Sequence, residues 1–266
     1  MAELQLTKHH GLGNDFLVAF HPHVDDLPGL ARRLCDRRRG IGADGLLVGE
    51  SETGYAARMV LFNSDGSRAE MSGNGIRCFA QALSRRRGDL DPQCIFTDAG
   101  ERLVTLYATE DPDVIEAAVD MGPVLPIAEP EGWHRVATDP LRPVSHLTVG
   151  NPHAVVAVED VAGIDLLTLG LLVPDINLEV VEAGPEPHAI TMRVHERGAG
   201  ITEACGTGAC ASAWAASSWG FVPAELEEIT VHMDGGDAKV RLHEPQLGHV
   251  TLVGPAEFVG SITVHI

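Results

Sequence analysis

Most of the chain consists of short runs in which apolar and polar residues alternate or in which a few apolar residues follow one another. In the first half these runs are ELQLTKH (3–9), FLVAF (16–20), GLLVGE (45–50), ARMVLFN (57–63), CIFTD (94–98) and RLVTLYA (102–108). The second half adds VIEAAVDM (114–121), SHLTVGN (145–151), HAVVAVE (153–159), LEVVE (178–182), ITMRVHE (190–196), ITVHM (229–233), AKVRL (238–242) and HVTLV (249–253). Their lengths and period of two predict strands. Helical patterns are few: one near 26–37, one starting at Gly75 (GIRCFAQALSRRR), one over 161–171 and one starting near Gly206. The last, GTGACASAWAASSW (206–219), is small and apolar on every side, so it belongs in an interior. The Gly75 helix is apolar at Ile76, Phe79, Ala80 and Leu83 and ends in arginines. Many strands with one central helix per half predict an α+β fold of two similar domains, each a curved, mostly antiparallel sheet wrapped around its helix. The acidic, proline-containing stretch 109–130 is the expected crossover between the halves.

The halves repeat one another. EMSGNGIRC (70–78) and EACGTGACA (203–211) align without gaps, and Ser72 and Cys205 lie 205 − 72 = 133 residues apart in a chain of 266. At the same offset Met59 matches Met192, Phe62 matches His195, Asn63 matches Glu196, Glu70 matches Glu203 and Ala80 matches Ala213. GND (13–15) is echoed by GNP (150–152), displaced by four further residues. A common offset through two strand–turn–helix segments reads as a duplicated unit.

Composition narrows the partners. The net charge is −19, from 38 acidic and 19 basic residues, a field that repels phosphate backbones and argues against nucleic acid. The basic run RRLCDRRRG (32–40) is expected to be the solvated end of a helix. No window suggests a membrane span, and the first residues lack a secretory pattern. Five cysteines without a Cys-x-x-Cys spacing, and scattered histidines, predict reduced thiols, a cytoplasmic setting and no metal.

A glycine-rich turn that opens a helix presents free N–H groups and the positive end of the helix dipole, which suits a carboxylate. Gly73, Asn74 and Gly75 form one such set, and Gly206, Thr207 and Gly208 the other. A thiol at a helix N-terminus is expected to have its thiolate favoured, as a base working near neutral pH requires. Two such groups on opposite faces of one carbon remove a proton from one side and return it on the other. The backbone donors stabilise the carbanion, and no pyridoxal cofactor is needed. Spacing alone also allows the plainer reading, in which Cys205 is a small buried residue and Ser72 a helix cap.

The chain also resembles a known family. NDF (14–16), RRGIGADG (38–45), FNSDGSRAEMSGNGIRCFA (62–80), GNPH (150–153), NLE (177–179) and HERGAGITEACGTGACASA (195–213) are similar, in order, to the motifs of diaminopimelate epimerases. The resemblance implies a cofactor-independent isomerase that interconverts LL- and meso-diaminopimelate for lysine and peptidoglycan synthesis, usually as a homodimer. It implies domains of residues 1–115 with 254–266, and 116–253, with the active site in the cleft between them. Cys205 matches one of the family's two acid/base thiols, and Ser72 stands where the other belongs. His153 is implied near the first base and Glu196 near the second, as partners in proton movement. Asn14, Asn63, Asn151, Asn177, Glu196 and Arg197, with the turn residues Gly73, Asn74, Gly206 and Thr207, match the residues that hold the substrate. A guanidinium takes a carboxylate bidentately, and asparagines both donate and accept.

Two departures stand out. Gly45 replaces a common glutamine, and Ser72 replaces a thiol with a far weaker acid. The chain is therefore expected to epimerise poorly. An introduced Cys→Ser change and a natural departure both account for the serine, and the family-like residues around it favour the first. Other expectations are a related racemase or dehydratase acting on histidine, proline or hydroxyproline, a non-catalytic anion-binding protein using the two helix N-termini, and a thiol-redox protein using Cys205 and Cys210.

Overall fold

The computed structural model describes residues 3–243 and 248–265; Met1, Ala2 and Ile266, at the ends of the expected first domain, lie outside the described residues. The chain divides into two compact units, one running to Val119 and resuming at Gly254, the other Asp120–Val253.

The first unit contains β1 (Glu3–Gly11), β2 (Asn14–Phe20), α1 (Leu27–Cys35), β3 (Gly45–Glu50), β4 (Ala57–Asn63), β5 (Arg68–Ala69), α2 (Gly73–Arg87), β6 (Gln93–Thr97) and β7 (Gly100–Ala108). The strand β8 (Val114–Pro123) leads into the second unit. There follow β9 (Leu125–Pro126), a 3-10 turn at Trp133–Arg135, β10 (Val144–Thr148), β11 (Pro152–Ala157), α3 (Leu166–Leu172), β12 (Asn177–Ala183), β13 (Ala189–Glu196), β14 (Gly200–Thr202), α4 (Gly206–Trp219), β15 (Glu228–Met233) and β16 (Gly236–Leu242). The last strand, β17 (His249–His265), runs back into the first unit.

The pairing order is the same twice. In the first unit β1 lies antiparallel to β2, β2 parallel to β3, β3 antiparallel to β4, β4 parallel to β6 and β6 antiparallel to β7. In the second, β10 lies antiparallel to β11, β11 parallel to β12, β12 antiparallel to β13, β13 parallel to β15 and β15 antiparallel to β16. The helices α2 and α4 begin at Gly73 and Gly206, the same offset as Ser72 and Cys205, and each packs against several strands of its own unit. Each sheet therefore wraps around one helix. Burial follows from composition: α4 is buried from Gly206 to Ala213 and again at Ala215 and Ala216, as a helix without a polar face requires.

The outer face of each sheet is covered by a shorter helix. Leu30, Ala31 and Leu34 of α1 pack on Leu17, Ala19, Leu46, Val48 and Val60, while Leu166 of α3 packs with Ala154, Val156, Leu178 and Val180. Strand side chains alternate across the sheet, so Leu47 and Glu179, flanked by these residues, point to the opposite, inner face.

Two expectations are corrected. The first unit ends at Val119 rather than at residue 115, because β8 is one continuous strand paired with β7 as far as Val119 opposite Val104. The stretch 109–130 thus carries the crossover within a strand. The basic run does lie at the solvated end of α1, with Arg37 exposed while it bonds Asp15 and Asp44, each at 2.7 Å. Residues 257–265, for which no strand was expected, pair with β1.

One buried group sets an acid limit on the first unit. His9 is fully buried, with Nδ1 2.7 Å from Gln81 Oε1 and Nε2 2.9 Å from Thr7 Oγ1. Burial depresses it from 6.5 to about 4, and the nearby Arg85 and His10 push the same way. The neutral ring's full contribution is present above pH 6.5 and is lost as the pH falls through 6.5 toward 4, a change of ~3 kcal/mol. Urea unfolding at pH 7 and pH 4 should record that loss, and His9→Gln should flatten it.

Candidate active site

The second unit gathers a connected polar cluster at the N-terminus of α4. Cys205 is the N-cap, 4% exposed, and its Sγ accepts from Gly208 N–H at 3.4 Å. Thr207 Oγ1 lies 3.5 Å from that sulfur and accepts from Asn151 Nδ2 at 3.2 Å. Asn151 Oδ1 is 2.9 Å from His153 Nε2, and His153 Nδ1 is 2.6 Å from Glu179 Oε1. Register explains the grouping, since His153 of β11 lies opposite Asn177 of β12, two residues before Glu179. Asn177 Nδ2 donates to Pro152 carbonyl at 3.0 Å, and its Oδ1 accepts from the backbone N–H of Arg197 at 2.9 Å. The Arg197 side chain is exposed. Glu196 Oε1 accepts from Thr202 Oγ1 at 2.5 Å, and its carboxyl group lies within electrostatic reach of the Cys205 thiol.

The electrostatics correct one expectation. Cys205 is pushed well above the ordinary thiol range, first by burial and then by the Glu196 and Glu179 carboxylates, against weaker help from Thr207 and Gly208 N–H. Glu196 is also raised, chiefly by burial. A helix N-terminus contributes only about 0.3–1 kcal/mol, too little to outweigh two neighbouring carboxylates in a dry site. Cys205 therefore rests as a thiol, and the Cys205–Glu196 pair holds a proton.

The first unit builds the matching turn differently. Ser72 caps α2, its Oγ accepting from Gly75 N–H at 3.0 Å. Asn74 donates to Asn14 Oδ1 at 3.3 Å, and Asn14 Nδ2 donates to Asp44 Oδ2 at 2.7 Å. The fully buried Arg77 donates to Asn74 Oδ1 at 2.7 Å and to the Gly73 carbonyl at 3.0 Å. Asn63 is exposed and donates to Ser67 Oγ at 3.0 Å in the turn after β4. Asn14, Ser72, Gly73 and Asn74 thus gather at one helix N-terminus, and Asn151, His153, Asn177, Glu196, Cys205, Gly206 and Thr207 around the other.

Sequence reasoning missed Asp44 and Arg77, which brace Asn14 and Asn74, and Glu179. Each lies inside a quoted motif, but nothing in the motif says that its side chain turns inward. Gly208 carries a second clue, because a Cβ there would stand 2.7 Å from Glu179 Oε1 and 3.3 Å from Cys205 Sγ. Only glycine lets α4 approach the carboxylate so closely. Gly208→Ala should cost ~1–3 kcal/mol of stability, read as a lower urea midpoint at unchanged slope.

The fold is shared with solved isomerases. A predicted epimerase from Pseudomonas aeruginosa superposes with a TM-score of 0.77 at 14% identity, covering 99% of both chains. A hydroxyproline epimerase from Agrobacterium vitis, solved with trans-4-hydroxy-L-proline, superposes at 0.68 with 17% identity over 99% of this chain and 91% of that one. At such identities the likeness shows the fold alone. The sequence goes further. The model of the diaminopimelate epimerase family matches residues 6–126 and 146–259. A diaminopimelate epimerase of Desulfitobacterium hafniense is 38% identical over 96% of each chain, and one of a Cyanothece species is 39% identical over 96% of this chain and 98% of its own. The chain belongs to the diaminopimelate epimerase family, and with it to the isomerases.

Proposed function

We propose that this chain binds diaminopimelate and carries the machinery for interconverting its LL and meso forms without pyridoxal, in an impaired version. The observation that carries the reading is the duplicated, capped helix N-terminus, with a thiol–carboxyl pair, Cys205 and Glu196, at one copy. In the reaction Cys205 exchanges a proton with the α-carbon while Glu196 accepts or returns the thiol proton. The backbone N–H groups that open α4 and α2 receive the α-carboxylate and the charge that develops on it. Asn14, Asn63, Asn151, Asn177 and Arg197 hold the amino and carboxylate groups of the two head groups. Ser72 occupies the position from which a second base would act on the other face. We assign the protein to the cytoplasm, where lysine and peptidoglycan precursors are made, and expect a homodimer.

Isothermal titration tests the substrate class on the chain as it stands. LL-diaminopimelate should bind, while inorganic phosphate, proline and histidine should not. Binding of phosphate alone would replace the proposal with a non-catalytic anion site, and binding of proline or histidine with a related racemase.

A further inference from the structure

The chemistry above leaves one buried acid without a task. Glu179 is fully buried on the inner face of β12, with one oxygen 2.6 Å from His153 Nδ1 and the other, Oε2, without a hydrogen-bond partner among the described residues. The repeat supplies its own control. Beneath Gly75, where Glu179 lies beneath Gly208, the first unit has Leu47, whose Cδ2 would stand 3.4 Å from an added Cβ. The fold therefore accommodates an apolar residue at this point of the inner face. A buried, half-satisfied carboxylate costs stability, so its presence asks for a chemical reason.

Donor accounting supplies one. An ionised Glu179 only accepts, so His153 Nδ1 carries a proton. Asn151 presents Nδ2 to Thr207, which leaves its acceptor Oδ1 facing His153 Nε2, and that nitrogen must carry a proton too. Thr207 Oγ1 receives the Asn151 N–H, so its own hydrogen is left to point at Cys205 Sγ. A neutral His153 with a bare Nε2 reverses this order. The Asn151 amide turns over to donate to the ring, its Oδ1 takes the Thr207 proton, and the sulfur loses a donor.

We infer that Glu179 is a positioning residue for Cys205: it holds His153 as an imidazolium, which orients Asn151 so that the Thr207 hydroxyl donates to Sγ. The effect acts through three intervening residues, and Glu179 itself touches no reacting atom. When Cys205 gives up its proton, the Thr207 hydrogen bond is made to a charged sulfur, which favours the state that abstracts the α-proton. The catalytic consequence rests on the proposed epimerase reaction, whereas the orientation of His153 is a property of the folded chain.

Two measurements separate these layers. In nitrogen-15 NMR of the chain as it stands, with His153 assigned by its loss in His153→Asn, both ring nitrogens should bear protons. In Glu179→Gln one should become bare. Two protonated nitrogens in Glu179→Gln, or a neutral ring in the parent, overturn the inference. In the Ser72→Cys background, exchange of the α-proton of LL-diaminopimelate for deuterium should fall about 10- to 100-fold in Glu179→Gln, the worth of a hydrogen bond to a charged group. The substrate should still bind, which loss of folding would not allow. Thr207→Val should lose as much exchange, and Thr207→Ser should recover it; these two decide the matter if Glu179→Gln does not fold. A fully active Thr207→Val sinks the inference. If the Ser72→Cys parent itself exchanges nothing, the epimerase reading fails, and the ring signals still judge Glu179.

Discussion

Ser72→Cys should accelerate the conversion of LL- to meso-diaminopimelate by about 10²- to 10⁴-fold, the usual worth of a positioned acid or base. Both N-caps are built alike, Ser72 accepting from Gly75 N–H at 3.0 Å and Cys205 from Gly208 N–H at 3.4 Å. The longer second distance is what a larger sulfur demands, so the turn already accepts a thiol in its repeat. The change at position 72 therefore asks for little rearrangement. A hydroxyl is many orders of magnitude weaker as an acid than a thiol, and a helix dipole worth at most a few kcal/mol does not close that gap. With Ser72 in place, proton exchange at the α-carbon can still proceed on the Cys205 side, but inversion needs a donor on the other face. Proton NMR in deuterium oxide distinguishes the two, since exchange removes the α-proton signal while inversion also builds the meso product. A Ser72→Cys enzyme that forms no meso product from a substrate it binds would send the assignment to the related racemases.

The positions of the two key helices were legible in the sequence because a duplication writes the same instructions twice. The 133-residue offset between Ser72 and Cys205 is also the offset between the first residues of α2 and α4. The polarity-free run 206–219 and the alternating strands likewise state their burial directly. What stayed hidden depends on pairing across the chain. Residues 257–265 form a strand because β1 lies beside them, with Glu3 opposite His265, and local propensity is silent about a partner that far away. The same holds for the site. The motifs bring Asn14 and Asp44 to notice separately, and only the parallel pairing of β2 with β3 sets them side by side. For Cys205 the sequence announced a helix N-terminus and hence a helpful dipole. It could not announce Glu196 and Glu179, which approach from β13 and β12 and reverse the sign of the effect.

That reversal sets the pH dependence. In the Ser72→Cys enzyme, kcat/KM for LL-diaminopimelate should keep rising with pH through the ordinary thiol range, because Cys205 loses its proton only above it. The causes are burial first, then the Glu196 and Glu179 carboxylates. Glu196→Gln removes one of those negative charges, so the thiol should ionise at lower pH and the rising limb should move down. The same substitution removes the group that takes the thiol proton, so the plateau should fall, by about 10²-fold. Opposite movements of limb and plateau are the signature of a residue that both repels the thiolate and serves it. A side chain that merely packs against Cys205 would lower the plateau without moving the limb. The rate of Cys205 alkylation by iodoacetamide, followed by mass spectrometry from pH 6 to 10, gives the ionisation without substrate. If its midpoint does not fall in Glu196→Gln, the carboxyl is not ionised beside the thiol. Glu196 would then hold a proton of its own beside the thiol, and could not accept the one that Cys205 gives up.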